Sequence, residues 1–286
     1  MESWYAFAIV ALLLLGTQRF LYKVSAEKGF NTAVTTTSFM ATVAILSTVL
    51  FLIQGRTVSD PHPLILTSLI NSGTFLVATI SHIEALKKVP SSIAYPIIRL
   101  NVGVVVLFSL MFFKDRLSPY QIAGIVLAIG VILILTKDAQ KGEGPAKAGK
   151  KGLAYVFISL FCGAAAAISS KFAALYTDKL AFMALSYTIS MICSFALRKR
   201  MVPEGGPGDT RKAVFLGMFM GLINLCGFYS FLEALSSGPL SIIASITGMH
   251  FVISILLSFI IYKEAPTPTR LAGMILTIFS VILLRL

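Results

Sequence analysis

The sequence predicts an all-α, polytopic membrane protein with ten transmembrane helices in two inverted five-helix repeats. Three observations carry that prediction. The 286 residues are 57% hydrophobic and only 13% charged, about half the charge of an ordinary soluble domain. The apolar residues fall into long runs separated by short charged knots, the pattern of a chain that uses lipid as its solvent. Marked residues also recur at a fixed spacing of 149 positions.

A membrane span needs about 20 apolar residues. Ten segments meet that length: 4–22, 33–53, 64–86, 91–113, 118–135, 153–175, 180–197, 213–235, 240–262 and 268–284. The third and sixth read as the most polar of the ten. The N-terminal stretch MESWYAFAIVALLLLG lacks a basic leader and a small-residue cleavage site, so it is read as a retained first helix. The segment Lys137–Lys151 is polar and rich in Gly and Lys, and Arg198–Lys212 is the other long connection. The first reads as a linker between halves. The remaining connections are short, which leads to the expectation that sequential helices pack as antiparallel neighbours.

The repeat shows as EALKKVP at 84–90 against EALSSGP at 233–239. The same spacing pairs Lys114 with Lys263, Asp115 with Glu264, Pro119 with Pro268 and Gly124 with Gly273. The repeats are therefore read as residues 1–137 and 150–286. Arg19-Phe20 and Lys171-Phe172 occupy comparable places late in helices one and six. Five helices per unit is an odd number, so the second unit enters the membrane from the opposite side. Inverted repeats enclosing a site near the midplane are a recurring transporter plan. The turn Lys114-Asp115-Arg116-Leu117, its counterpart Lys263-Glu264, and the Pro and Gly-containing helices that follow (QIAGIVLAIGVILIL and RLAGMILTIFSVILL) resemble the drug/metabolite transporter superfamily, in its ten-helix EamA-like branch. The resemblance covers nearly the whole chain. It implies a secondary transporter, often an exporter of amino acids or other metabolites, and names no substrate.

The net charge of +12 does not point to nucleic acid, because the cations form no continuous basic face. Sixteen of the 24 Lys and Arg lie in connections after odd-numbered helices and five in the termini or after even-numbered ones. Loop cations mark the cytoplasmic side, so both termini are expected outside an inner or cell membrane. The family resemblance points the other way. The remaining three, Arg19, Arg99 and Lys171, lie within spans, where a charge costs about 2.5–3.5 kcal/mol on insertion scales.

Arg99 sits roughly 12 Å into the fourth helix, so it reads either as a partner for an anionic substrate group or as a packing residue. Asn101 and His250 are 149 residues apart near the middle of their helices, where a repeat-interface site is expected; His250 could also carry a coupling proton. Arg19 and Lys171 read as snorkelling cations or as the mouth of a cavity. Asn71, with Ser72 and Thr74, and Asn224 supply polar groups to the third and eighth helices; they suit a ligand or act as interhelical glue. Tyr95 and Tyr229 could line a pocket. Glu84 and Glu233 read as structural, and Lys114-Asp115 as surface turn residues. The GxxxG at Gly217–Gly221 and the small run Gly163–Ala167 read as close-packing faces.

All twelve Asp and Glu lie in connections or near helix ends. An interior holding Arg but no acid favours a carboxylate-bearing, anionic or neutral polar substrate over a cation. There is no GxxxxGK[ST] phosphate loop, and the three cysteines Cys162, Cys193 and Cys226 lack metal-ligand spacing, so no cofactor or metal is expected. His62, His82 and His250 are too scattered for a membrane enzyme. A translocator of lipid or lipid-linked sugar is the nearest alternative. The expected partners are a small-molecule substrate and the bilayer, with a homodimer left open.

Overall fold

The computed structural model describes residues 3–58, 60–86, 88, 94, 97–138, 150–197, 209–263 and 267–286; their regular structure is all helical, with no strand among them. In chain order the helices are α1 (Ser3–Glu27), α2 (Thr32–Ile53), α3 (Pro61–Leu86), α4 (Asn101–Phe108, widening into a π turn at Ser109–Phe113) and α5 (Pro119–Asp138). They continue as α6 (Lys150–Tyr176), α7 (Lys179–Leu197), α8 (Thr210–Ser237), α9 (Leu240–Gly248), α10 (His250–Tyr262) and α11 (Pro268–Arg285). Among the described residues, eight spans are long and apolar enough to cross a bilayer, Leu240–Tyr262 being one of them, and two shorter apolar helices, Ile97–Phe113 and Pro119–Leu135, accompany them. The least apolar span is α7 rather than the third or sixth.

Polar side chains at the helix starts explain several boundaries. Asn31 caps α2 by accepting from Ala33 N (3.0 Å) and Val34 N (3.2 Å). Asp178 caps α7 through Leu180 N and Ala181 N, while its other oxygen takes Arg56 Nη1 at 2.7 Å. Asp209 caps α8 through Arg211 N and Lys212 N. Each satisfies amides that a helix start leaves orphaned. α4 and α10 both end at a lysine in the left-handed region, Lys114 and Lys263, each at φ 53°. These lysines are repeat-equivalent, so both helices end on the same backbone conformation.

The expectation that sequential helices pack side by side is overturned. Consecutive helices touch only marginally, and the extensive contacts run between halves: α3 with α6, α1 with α8, α2 with α7 and α8, and α5 with α11. The pattern is reciprocal. The third helix of each half lies along the first helix of the other, and the two final helices pair with each other. Loop length restricts which helices can be neighbours, but side-chain shape selects among them. At the α5–α11 contact, a Cβ on Gly124 would come within 2.9 Å of Leu284 Cγ, and a Cβ on Gly273 within 2.5 Å of Leu135 Cδ2. Leu135 and Leu284 are themselves 149 residues apart, so one contact is made twice with its partners exchanged. On α8, a Cβ on Gly217 would meet Thr35 O at 2.5 Å, and one on Gly221 would meet Thr42 Cβ at 2.6 Å. The GxxxG is thus the groove that receives α2. With no hydrophobic drive between helices in lipid, such close backbone approach supplies the packing energy. Outward faces carry Leu13, Ile45, Leu66, Leu69, Phe215 and Ile278, all exposed, as lipid contact requires.

Candidate functional site

The long hydrophobic run expected at 240–262 is interrupted. Met249 leaves helical geometry (φ −84°, ψ 7°), ending α9 and starting α10. Its counterpart in the first repeat, Leu100, has ψ −4° and stands before α4, with the short turn Ile97–Arg99 on its other side. Both fourth helices are therefore broken at equivalent residues, and Asn101 and His250 are the first residues after each break. The breaks pack directly on one another: a Cβ on Gly248 would lie 2.8 Å from Val102 Cγ2, and the Arg99 guanidinium sits 5.9 Å from the centre of the Phe251 ring, within cation–π range.

His250 uses one nitrogen to close its own break. Nδ1 lies 2.7 Å from Thr247 O; a carbonyl can only accept, so Nδ1 carries the proton and the neutral ring keeps Nε2 as an acceptor. Nε2 is buried with no hydrogen-bond partner among the described residues. Arg19 and Arg99 both act electrostatically on His250, and on His82 as well. Arg99 and His250 thus flank the two breaks, with Arg19 and His82 within electrostatic range of them. α1 is brought there by Gly16, whose missing Cβ leaves room for His250 O at 2.6 Å. Arg19 is exposed and lies 5.9 Å from the Tyr22 ring. Asn101 packs its amide against α6, with Nδ2 3.1 Å from where a Cβ on Gly163 would be.

The other sequence-selected residues are elsewhere. Asn71 Nδ2 contacts Ala166 O, Ser169 Oγ and Ser170 Oγ at 2.8–3.0 Å, and Ser72 donates to Ser186 O at 2.9 Å; both join α3 to the second half. Thr74 turns back onto its own helix. Asn224 donates to Gln18 Oε1 at 2.8 Å and accepts from Tyr187 OH at 2.6 Å. Asn71 and Asn224 therefore do the same job, each tying the third helix of one repeat to the first helix of the other. Tyr95 lies outside the described residues. Glu233 pairs with Lys179 at 2.9 Å, and Tyr229 lies within electrostatic range of it, so these two belong to a polar cluster at the end of α8.

Lys171 corrects the expectation of a snorkelling or cavity-mouth cation. It is 7% exposed, and its ammonium donates to Leu235 O (2.5 Å) and Gly238 O (2.9 Å), against the Phe113 ring at 5.6 Å. A cation suits the carbonyl-rich end of α8. Asp115 departs from the expected surface turn: it is half-buried and accepts from Ser241 N and Oγ across the repeat boundary. Gln18, His82 and Tyr187 were not selected from sequence. Each is an ordinary polar residue in an apolar run, and only proximity to Asn224 or to the two arginines distinguishes it.

A protein-family model described as the EamA-like transporter family matches the chain twice, over residues 2–137 and 150–286. One solved crystal structure is similar over 99% of this chain and 96% of its own, with a TM-score of 0.76 at 18% identity. At that identity the likeness shows the fold alone.

Proposed function

Because the chain belongs to the EamA-like transporter family, a multi-pass membrane family, we propose that it is a secondary transporter moving a small polar or carboxylate-bearing metabolite, an amino acid or an organic anion, by alternating access. In this reading ten helices cross the bilayer as two inverted five-helix repeats, residues 1–137 and 150–286, with both termini outside, and transport runs toward export. The observation that carries the reading is the pair of equivalent helix breaks at Leu100 and Met249. Interrupted helices at the repeat interface are where transporters of this plan bind substrate.

Arg99 and Arg19 attract the anionic group, Asn101 offers an amide, and the free Nε2 of His250 accepts a hydrogen bond or a coupling proton. Asn71 and Asn224 hold the walls of the site in register. The reciprocal packing of α1 with α8 and of α3 with α6 supports the mechanism, because it gives the molecule two pseudo-equivalent ways to close.

The test is flux into or out of proteoliposomes loaded in turn with amino acids, organic anions and organic cations. Anionic or zwitterionic solutes should move, Arg99→Ala should abolish their flux, and His250→Ala should remove its dependence on a proton gradient. Flux confined to cations would overturn the substrate assignment; wild-type flux in both variants would overturn the site.

A further inference from the structure

The two ends of the broken ninth span are not alike. Every residue from Leu240 to Thr247 is buried, whereas beyond the break only Val252 and Ser258 of α10 are. The buried end is held by a carboxylate from the other repeat. Asp115 Oδ2 accepts from Ser109 Oγ at 2.6 Å, from Ser241 Oγ at 2.6 Å and from Ser241 N at 3.1 Å. A single oxygen thus ties the end of α4 and the 114–118 turn to the first turn of α9. Anionic acceptors suit a helix start, and such charge-assisted bonds are about twice as strong as neutral ones. Lys171 stands within electrostatic range of the same carboxylate and pins the end of α8. Gly238, between α8 and α9, is so close to the Trp4 indole that a Cβ would meet it at 2.6 Å. Around this one joint, α1, α4, α6, α8 and α9 converge.

We propose that Asp115 is the latch that keeps the pathway shut at this face: when its carboxylate lets go of Ser241, α9 leaves the 114–118 turn and the route to the helix breaks opens. The latch joins residues from opposite repeats, so it resists the relative movement that alternating access requires. Ser109 stays with Asp115 on its own repeat and orients the carboxylate, and Ser241 is the side that parts. This inference rests on the transporter reading for its purpose, but its test measures opening without measuring transport.

Cys162, Cys193 and Cys226 are replaced by alanine, and one cysteine is placed at Ser245 or at Ser280. Ser245 lies one turn beyond Ser241 and is fully buried; Ser280 is equally buried but bonds Gly124 O in the α5–α11 contact. A membrane-impermeant thiol reagent is applied from the face that carries the 114–118 turn. With Asp115→Ala, Ser245→Cys should label about tenfold faster or more, as the loss of a charge-assisted bond implies, while Ser280→Cys stays unlabelled. Asp115→Asn, which keeps an acceptor oxygen and loses the charge, should fall between, and it serves if the alanine variant fails to fold. Unchanged labelling at position 245 overturns the latch. Equal gains at 245 and 280 also overturn it, because Asp115 would then be a general structural support. Selective labelling in a protein that moves no solute would leave the latch standing and remove the transporter reading instead.

Discussion

Gly217→Ala adds one methyl group where α8 meets α2. The new Cβ would stand 2.5 Å from Thr35 O, 2.8 Å from Ser38 Cβ and 3.1 Å from Phe39 N. Two of the three atoms are backbone, so no rotamer change relieves them; the helices must separate by roughly 1 Å to restore ordinary contact. Overpacking of this kind costs about 1–3 kcal/mol, which outweighs the roughly 1 kcal/mol that alanine gains over glycine in a helix interior. Because α2 also lies along α7, separation there loosens a second contact. The net loss is then up to about 2 kcal/mol, and at about 2–4 °C per kcal/mol for a chain of this size the melting temperature in detergent should fall by up to about 8 °C. Gly73→Ala is the matched control, since nothing lies within 4 Å of its Cβ position; it should melt at or slightly above wild type. Equal melting temperatures for the two variants would refute the reasoning, because helix propensity alone treats them identically.

Gly273→Ala should be destabilising but repairable, since the clash is with the Cγ and Cδ atoms of Leu135; in a double-mutant cycle with Leu135→Ala the pair should cost at least 1 kcal/mol or so less than the sum of the single changes. Asn224→Leu strands the Gln18 carbonyl and the Tyr187 hydroxyl in a buried setting, and thermal melts should show a loss of about 1–3 kcal/mol per stranded group; no shift would mean that the bridge is not made. Asp178→Asn, which keeps the α7 cap but weakens the pairing with Arg56, should cost under about 1 kcal/mol, and Asp178→Ala about 0.5–2 kcal/mol more through the cap; the two melts should rank in that order. Hydrogen bonds from the Lys212 amide and ammonium hold the Asp209 carboxyl below its usual 3.8. A depressed carboxyl stabilises the fold above the unfolded value and loses that contribution as pH falls through the folded one. Asp209→Asn should therefore flatten the slope of the stability profile below about pH 4 and lower the profile by a constant amount above about pH 5; an unaltered acid limb would count against this cap.

Helix content and the twofold repeat were legible because lipid imposes a crude code: long apolar runs, with charges at the ends. The register of 149 was equally plain, and it recurs in the paired left-handed lysines, in the exchanged Gly–Leu contacts and in the two helix breaks. Neighbour relations were not legible. A short loop makes an antiparallel pair available, but the grooves at Gly217 and Gly221 and at Gly124 and Gly273 direct those faces to helices from the opposite half. Arg99 and His250 stood out as polar groups deep in spans. The break beside them did not, since Leu100 and Met249 are both good helix formers and nothing in their local sequence marks an interruption. Lys171 shows the opposite error: its place near the end of its helix was read as reach to water, when the carbonyls at the end of α8 satisfy it in place. Asp115 was misjudged because its local sequence describes a turn and its partner is 126 residues away.

The dominance of cross-half packing bears on how the chain is made. While residues up to about 137 are in the bilayer and the rest is still on the ribosome, α1, α2, α3 and α5 present small-residue grooves and polar side chains whose mates do not yet exist. Maturation therefore waits for the later segments, and α11 is the one that meets α5. A single repeat standing alone would meet the same need by pairing with an identical copy, which two repeats in one polypeptide supply in the right ratio.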